Sequence, residues 1–292
     1  GLAIPMGSLD LMEVMNTTVR GRKDLENLSL PFLGEIPQAY KQKKKKTEGR
    51  SEIVVKPHSR NIINEAFRVV RTNLEFMRDK EAGGKVVMFT SSNVGAGKTF
   101  MTANLAAALA IKDKKVLVVD LDLRKRSISE FAGQPKAGLS DYLSGREEGY
   151  EHLIVRNVED RGLDFMPVGT MPPNPAELLA EPSLGTMISD LRKEYDYIFL
   201  DCPPVEIVTD ADIVNPLADI TIFVIRAGLF ERGMLPEVEK YYTTKKYKNL
   251  SMILNGTDGG GRYGYKYGYK YGYRYGYKYG YGSKKEDNQE EE

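Results

Sequence analysis

The sequence predicts an α/β protein, a doubly wound and mostly parallel sheet with helices on both faces. Two observations carry that prediction. Short apolar runs recur that do not alternate with polar residues, as strands covered on both faces require. Between them lie stretches with helical spacing of apolar positions, so the two kinds of element alternate along the chain. In order, strands are expected at 85–91, 115–121, 163–168, 195–200, 220–226 and 250–255. Helices are expected near 61–79, 98–112, 175–194 and 233–246.

Three zones follow from this pattern. Residues 1–55 read as short helical or irregular patches and a linker, 56–257 as the α/β domain, and 258–292 as a tail. The linker holds Lys-Gln-Lys-Lys-Lys-Lys at 41–46, followed by a polar stretch at 47–51. The tail contains five tetrads of the form basic-Tyr-Gly-Tyr, beginning at Arg262, Lys266, Lys270, Arg274 and Lys278. It has no aliphatic residue to build a core and a glycine at every fourth position, so it is expected to be disordered.

At 292 residues the chain suits one substantial domain with appendages. A hydrophobic content of 41% is enough for a sizeable core. The net charge of +1 says little about partners, because basic and acidic residues are segregated along the chain. The single cysteine, Cys202, excludes an internal disulfide framework and fits a reducing compartment; it reads as a buried strand residue. No run of 18 apolar residues is present, so no spanning helix is expected. The opening Gly-Leu-Ala-Ile-Pro-Met reads either as the end of a membrane helix or as an arbitrary boundary.

The run at 85–91 leads into Ser92-Asn93-Val94-Gly95-Ala96-Gly97-Lys98-Thr99-Phe100 and then an apolar helix. A loop of this kind turns its backbone N–H groups onto phosphate at the positive end of a helix. Gly95 and Gly97 permit close backbone approach, Lys98 supplies charge for the β- and γ-phosphates, and the Thr99 hydroxyl suits Mg²⁺. Asn93 to Phe100 are therefore the expected ATP-binding residues. The motif opens on Ser92 where glycine is usual. Two further strand ends carry acids: Asp120-Leu121-Asp122-Leu123-Arg124 and Asp201-Cys202-Pro203-Pro204. In an open parallel sheet ligands bind beyond the carboxyl ends of strands, so both acidic ends are expected beside the glycine loop. Asp201 is placed to hold Mg²⁺ or its water. Asn255, ending the last expected strand, is a candidate for meeting adenine. Arg124 reads equally as a phosphate contact or a surface residue.

Together these elements resemble the bacterial tyrosine kinases of the capsular and exopolysaccharide co-polymerase family, over about Leu30 to Asp258. Those enzymes carry a Walker A loop, a second motif ending Asp-x-Asp-x-Arg, matched by Leu117-Val118-Val119-Asp120 through Arg124, and a Walker B strand. The stretch Gly169-Thr170-Met171-Pro172-Pro173-Asn174-Pro175-Ala176-Glu177-Leu178-Leu179 is similar to one common in the family. Residues 24–37 are similar to the region preceding the kinase domain in single-chain members. Partition and septum-placement ATPases, which share the loop, carry a signature lysine where this chain has Asn93.

The resemblance implies a P-loop NTPase type of sheet and an ATP- and Mg²⁺-dependent protein-tyrosine autokinase. In it Lys98 stabilises charge, Asp120 is the base toward the phenol, and Thr99, Asp122 and Asp201 serve the metal; the residues alone leave Asp120 and Asp122 exchangeable. It implies autophosphorylation at Tyr263, Tyr265, Tyr267, Tyr269, Tyr271, Tyr273, Tyr275, Tyr277, Tyr279 and Tyr281, in trans within a homo-oligomeric ring. Glu65, Arg68 and Arg71 match the family's oligomerisation motif and share one side of a helix; the alternative is a solvated face with a local ion pair. Implied partners are other copies of the chain, a protein tyrosine phosphatase and the polysaccharide assembly and export machinery. The implied location is the cytoplasmic domain of an inner-membrane protein, where the lysine run would favour an anionic leaflet.

Two rival readings stand beside this one. A P-loop ATPase that uses hydrolysis as a conformational switch fits the loop equally well. A basic, aromatic tail could also bind single-stranded nucleic acid by charge and stacking, but no nucleic-acid partner is expected.

Overall fold

The computed structural model describes residues 17–38, 52–77, 84–158, 162–205 and 210–258. Gly1–Met6, the lysine run at 41–46 and the ten tail tyrosines lie outside the described residues.

Seven parallel strands form one sheet in the order β1-β7-β6-β2-β5-β3-β4. They are β1 (Phe32–Pro37), β2 (Lys85–Thr90), β3 (Val116–Asp120), β4 (Leu163–Met166), β5 (Tyr197–Asp201), β6 (Ile220–Arg226) and β7 (Leu250–Thr257). The main helices are α1 (Ile62–Phe76), α2 (Lys98–Ala110), α3 (Leu139–Leu143), α4 (Pro175–Leu179), α5 (Pro182–Leu191), α6 (Asp210–Val214) and α7 (Leu235–Thr243). The central strands are buried at every residue, which is why they read as continuous apolar runs.

Each face of the sheet has its own core. On one, Phe67, Val70 and Leu74 of α1 and Met101, Leu105 and Leu109 of α2 cover Val87, Phe89, Val118 and Phe199. On the other, Leu178, Leu184, Ile188 and Val238 from α4, α5 and α7 cover Val86, Met88, Val119 and Leu200. Fully burying each of these side chains contributes about 1.5–3 kcal/mol. The predicted doubly wound sheet is therefore present, with helices on both faces. Among the described residues no helix is long and apolar enough to cross a membrane.

Two elements differ from expectation. Phe32–Pro37, read as part of the segment ahead of the domain, is the edge strand β1 and pairs in parallel with β7. Pro31, Gly34 and Pro37 disguise it, yet proline is tolerated at a sheet edge, where one row of N–H groups has no ladder partner. Gly34 has φ 152°, and a Cβ there would stand 2.8 Å from Val70 Cγ2, so α1 packs against β1 only because residue 34 lacks a side chain. The single helix expected at 175–194 is two, α4 and α5. Pro182 has no N–H to continue α4 and instead starts α5 at its first position.

The chain ahead of β1 is tied to the loop after β6. Val19 N–H donates to Phe230 O at 2.8 Å, Gly228 N–H donates to Val19 O at 2.8 Å, and Arg232 pairs with Asp24 at 3.1 Å.

Candidate active site

The site lies at the carboxyl ends of β2, β5 and β3. β2 stops at Thr90, and the loop that follows turns through Gly95 at φ 82° and Gly97 at φ 89° before α2 begins at Lys98. No side chain caps α2. Its first amides are thus left for an anionic ligand at the positive end of the helix dipole.

Lys98 is buried, and its Nζ lies 3.4 Å from Ser91 Oγ, which itself donates to Asn93 O at 2.9 Å. Burial pulls the lysine pKa down, while the charges of Asp201 and then Asp122 act against that shift. Both carboxylates therefore favour the charged ammonium. Thr99 Oγ1 donates to Asp201 Oδ2 at 2.5 Å, and among the described residues Asp201 Oδ1 is buried without a partner within hydrogen-bond geometry. A buried carboxylate oxygen with no donor is costly unless something occupies it. Burial pushes the Asp201 carboxyl up to about 6, against the opposing pull of Lys98 and the Thr99 hydroxyl. An oxygen-only set of hydroxyl and carboxylates beside a phosphate loop fits a hard divalent cation.

The paired acids of the β3 end part ways. At Asp122 burial raises the carboxyl, and the charges of Lys98 and then Lys125 oppose the rise. Asp120 is fully buried. Its Oδ1 accepts the Asp122 N–H at 3.2 Å and its Oδ2 accepts the Ile128 N–H at 2.9 Å. Asp120, expected as the base toward the phenol, thus has each oxygen on a backbone N–H of the loop after β3.

Other expected site residues fall as follows. Val94 and Gly95 are exposed at the loop tip, and Asn93 is half-buried. Phe100 turns its ring to Phe67 of α1, centroids 6.0 Å apart, so only its backbone faces the loop. Asn255 donates from Nδ2 to Ala96 O at 2.8 Å, which brings the end of β7 against the loop. Arg124 pairs with Asp210, a buried residue at the start of α6 that sequence reasoning missed. An aspartate in a Thr-Asp-Ala-Asp stretch gives no periodic or motif signal that could have found it. Thr90, also missed, donates to Pro203 O at 3.1 Å and ties β2 to the loop after β5. Cys202 is buried as expected, and burial raises its thiol pKa.

The three α1 residues are not equivalent. Glu65 and Arg68 form a half-exposed pair at 2.5 Å, and Arg68 Nη2 also donates to Ser59 O at 2.8 Å. Arg71 is buried and donates from Nη1 to Ala108 O at 2.8 Å. It caps the last turn of α2 within the subunit; the expectation that it meets a neighbouring copy directly does not fit that geometry.

Residues 84–249 match the family model described as AAA domain. The chain is 32% identical to the tyrosine-protein kinase wzc of Salmonella typhimurium over 82% of its own length and 34% of that protein. It is 33% identical to the tyrosine-protein kinase YwqD of Bacillus subtilis, over 70% of this chain and 85% of that protein. The solved kinase domain of Escherichia coli tyrosine kinase ETK matches with a TM-score of 0.73 at 28% identity, covering 86% of this chain and 100% of that domain. The chain spans about a third of the length of the long curated relatives it matches. Membership of such a family brings nucleotide binding with a divalent metal, the chemistry for which the loop, Lys98, Thr99 and Asp201 are suited.

Proposed function

This chain belongs to the bacterial tyrosine kinases, and on that premise we propose that it transfers the γ-phosphoryl group of ATP to tyrosines of its own tail. The observation that supports the reading is the convergence of Lys98, Thr99, Asp122 and Asp201 at three adjacent strand ends, with one oxygen of Asp201 unpartnered. The loop amides and Lys98 bind the phosphates. Thr99 and Asp201 hold Mg²⁺, which when bound offsets charge on the phosphates during transfer. Asp122 accepts the phenolic proton on its carboxylate as the tyrosine oxygen attacks the γ-phosphorus. The bond from that phosphorus to the β–γ bridging oxygen breaks, and ADP leaves. Asp120 takes no part in proton transfer; it fixes the loop that carries Asp122 and Arg124.

The acceptors are Tyr263 to Tyr281, reached in trans within a ring of copies whose contacts include Glu65 and Arg68, with Arg71 stiffening α1 from behind. Each phosphate adds about −1.5 to −2 charges, so a heavily modified tail turns from basic to acidic and the ring loosens. A tyrosine phosphatase reverses this, and the cycle regulates capsule or exopolysaccharide assembly and export at the inner membrane.

Incubation with ATP and Mg²⁺ followed by a phosphotyrosine blot tests the reading. The unaltered chain is expected to label its tail and Lys98→Met to lose labelling while still folding. In sedimentation at matched concentration, the unlabelled variant is expected to be the larger species. Comparable labelling of purified Lys98→Met contradicts the catalytic assignment, and equal sedimentation contradicts the ring.

A further inference from the structure

Asn255 lies near the end of β7, two strands away from the β2 that carries the glycine loop. It is buried, and its Nδ2 donates to the carbonyl of Ala96 at 2.8 Å. Space for that bond exists only because residue 97 is glycine: a Cβ there would stand 2.3 Å from Asn255 Nδ2, and the backbone has φ 89°. Asn255 is itself held from behind. Its carbonyl accepts the Ala227 N–H at 2.9 Å, and in register it faces Arg226. The next residue, Gly256, has φ 76°, and a Cβ there would lie 2.3 Å from the Arg226 guanidinium, so that group packs directly on the β7 backbone.

A trans peptide unit points its C=O and its N–H in opposite directions. Holding the Ala96 carbonyl toward β7 therefore aims the Gly97 N–H away from β7, across the loop. From this geometry we infer that Asn255 is a positioning residue for the phosphate grip, acting through the Ala96–Gly97 peptide rather than by reading the nucleobase. The inference rests on the nucleotide-site reading above. It has a consequence that base recognition does not: the contribution of Asn255 is the same for any triphosphate, with or without a base.

The test is calorimetric titration of the full chain with ATP, GTP and inorganic tripolyphosphate, each with Mg²⁺, for the unaltered protein, Asn255→Leu and Asn255→Ala. Both substitutions remove the donor without adding charge, and two side-chain sizes guard against one failing to fold, which melting curves report. Loss of one buried hydrogen bond is expected to weaken all three ligands by about tenfold, equally. In tail labelling, KM for ATP is expected to rise by the same factor while kcat stays within about twofold. Weakening confined to ATP, with tripolyphosphate unaffected, overturns the inference in favour of base contact. Unchanged binding of all three by folded variants also overturns it. An unaltered chain that binds none of them overturns the site reading itself, and the inference with it.

Discussion

Asp120 and Asp201 are register partners at the ends of adjacent strands, both fully buried, yet their surroundings differ in kind. Asp120 has a backbone N–H on each oxygen. Asp201 has one oxygen on the Thr99 hydroxyl and one with no partner among the described residues. A buried carboxylate satisfied by amides of its own loop is scaffold, because removing it orphans those amides. One with an unpartnered oxygen beside a phosphate loop suits the cation proposed there. Burial raises both carboxyls, and the charge of Asp201 raises Asp120 further.

Asp122 gives the comparison its sharpest edge. If Asp122 takes the phenolic proton, Asp122→Asn is expected to lower labelling by about 10²–10⁴-fold without lowering the melting temperature. Asp120→Ala is expected instead to act first on the fold. It strands the N–H groups of Asp122 and Ile128, each costing about 1–3 kcal/mol, and lowers the melting temperature by about 5 °C or more. Unaltered melting of Asp120→Ala together with lost labelling would return Asp120 to the chemistry.

A smaller effect of opposite sign is expected at Asp201. Its folded pKa of about 6 lies above the ordinary carboxylate value of 3.8. Between those values the folded chain keeps a proton that the unfolded chain has released. The stability this gives is full below pH 3.8 and is lost as pH rises through about 6. Asp201→Asn removes that loss. At pH 7.5 without nucleotide it is expected to raise the melting temperature by about 2–4 °C, to flatten the slope between pH 5 and 7, and to abolish stabilisation by Mg²⁺ with ATP. A variant that melts lower than the parent at pH 7.5 contradicts a raised Asp201 carboxyl in the folded chain.

The central sheet was readable because its strands are buried on both faces, and burial there leaves an unbroken apolar run. The glycine loop was readable because positive φ and close approach at Gly95 and Gly97 admit few other residues. β1 was not, since an edge strand tolerates Pro31, Gly34 and Pro37, which elsewhere signal turns. The different surroundings of Asp120 and Asp122 were hidden for another reason. Which oxygen meets which amide depends on how the chain returns at Ile128, and no spacing in the motif encodes that. Arg71 illustrates the same limit, because its partner is a carbonyl at the end of α2, 37 residues away. Asn255 was legible as near the end of the last strand, but its bond to the Ala96 carbonyl was not, since that requires knowing that β7 stands beside the loop.

The central claim, that phosphate leaves ATP for the tail rather than for water, is tested most directly by counting both products in one sample. Purified chain, first stripped of phosphate, is incubated with Mg²⁺ and ATP, and ADP, inorganic phosphate and phosphotyrosine are quantified over time. The account predicts that ADP and phosphotyrosine on residues 263–281 rise together, close to one for one, until the tail is filled, with little free phosphate. ADP accompanied by an equal amount of inorganic phosphate and no phosphotyrosine would contradict it and identify the chain as a hydrolytic switch.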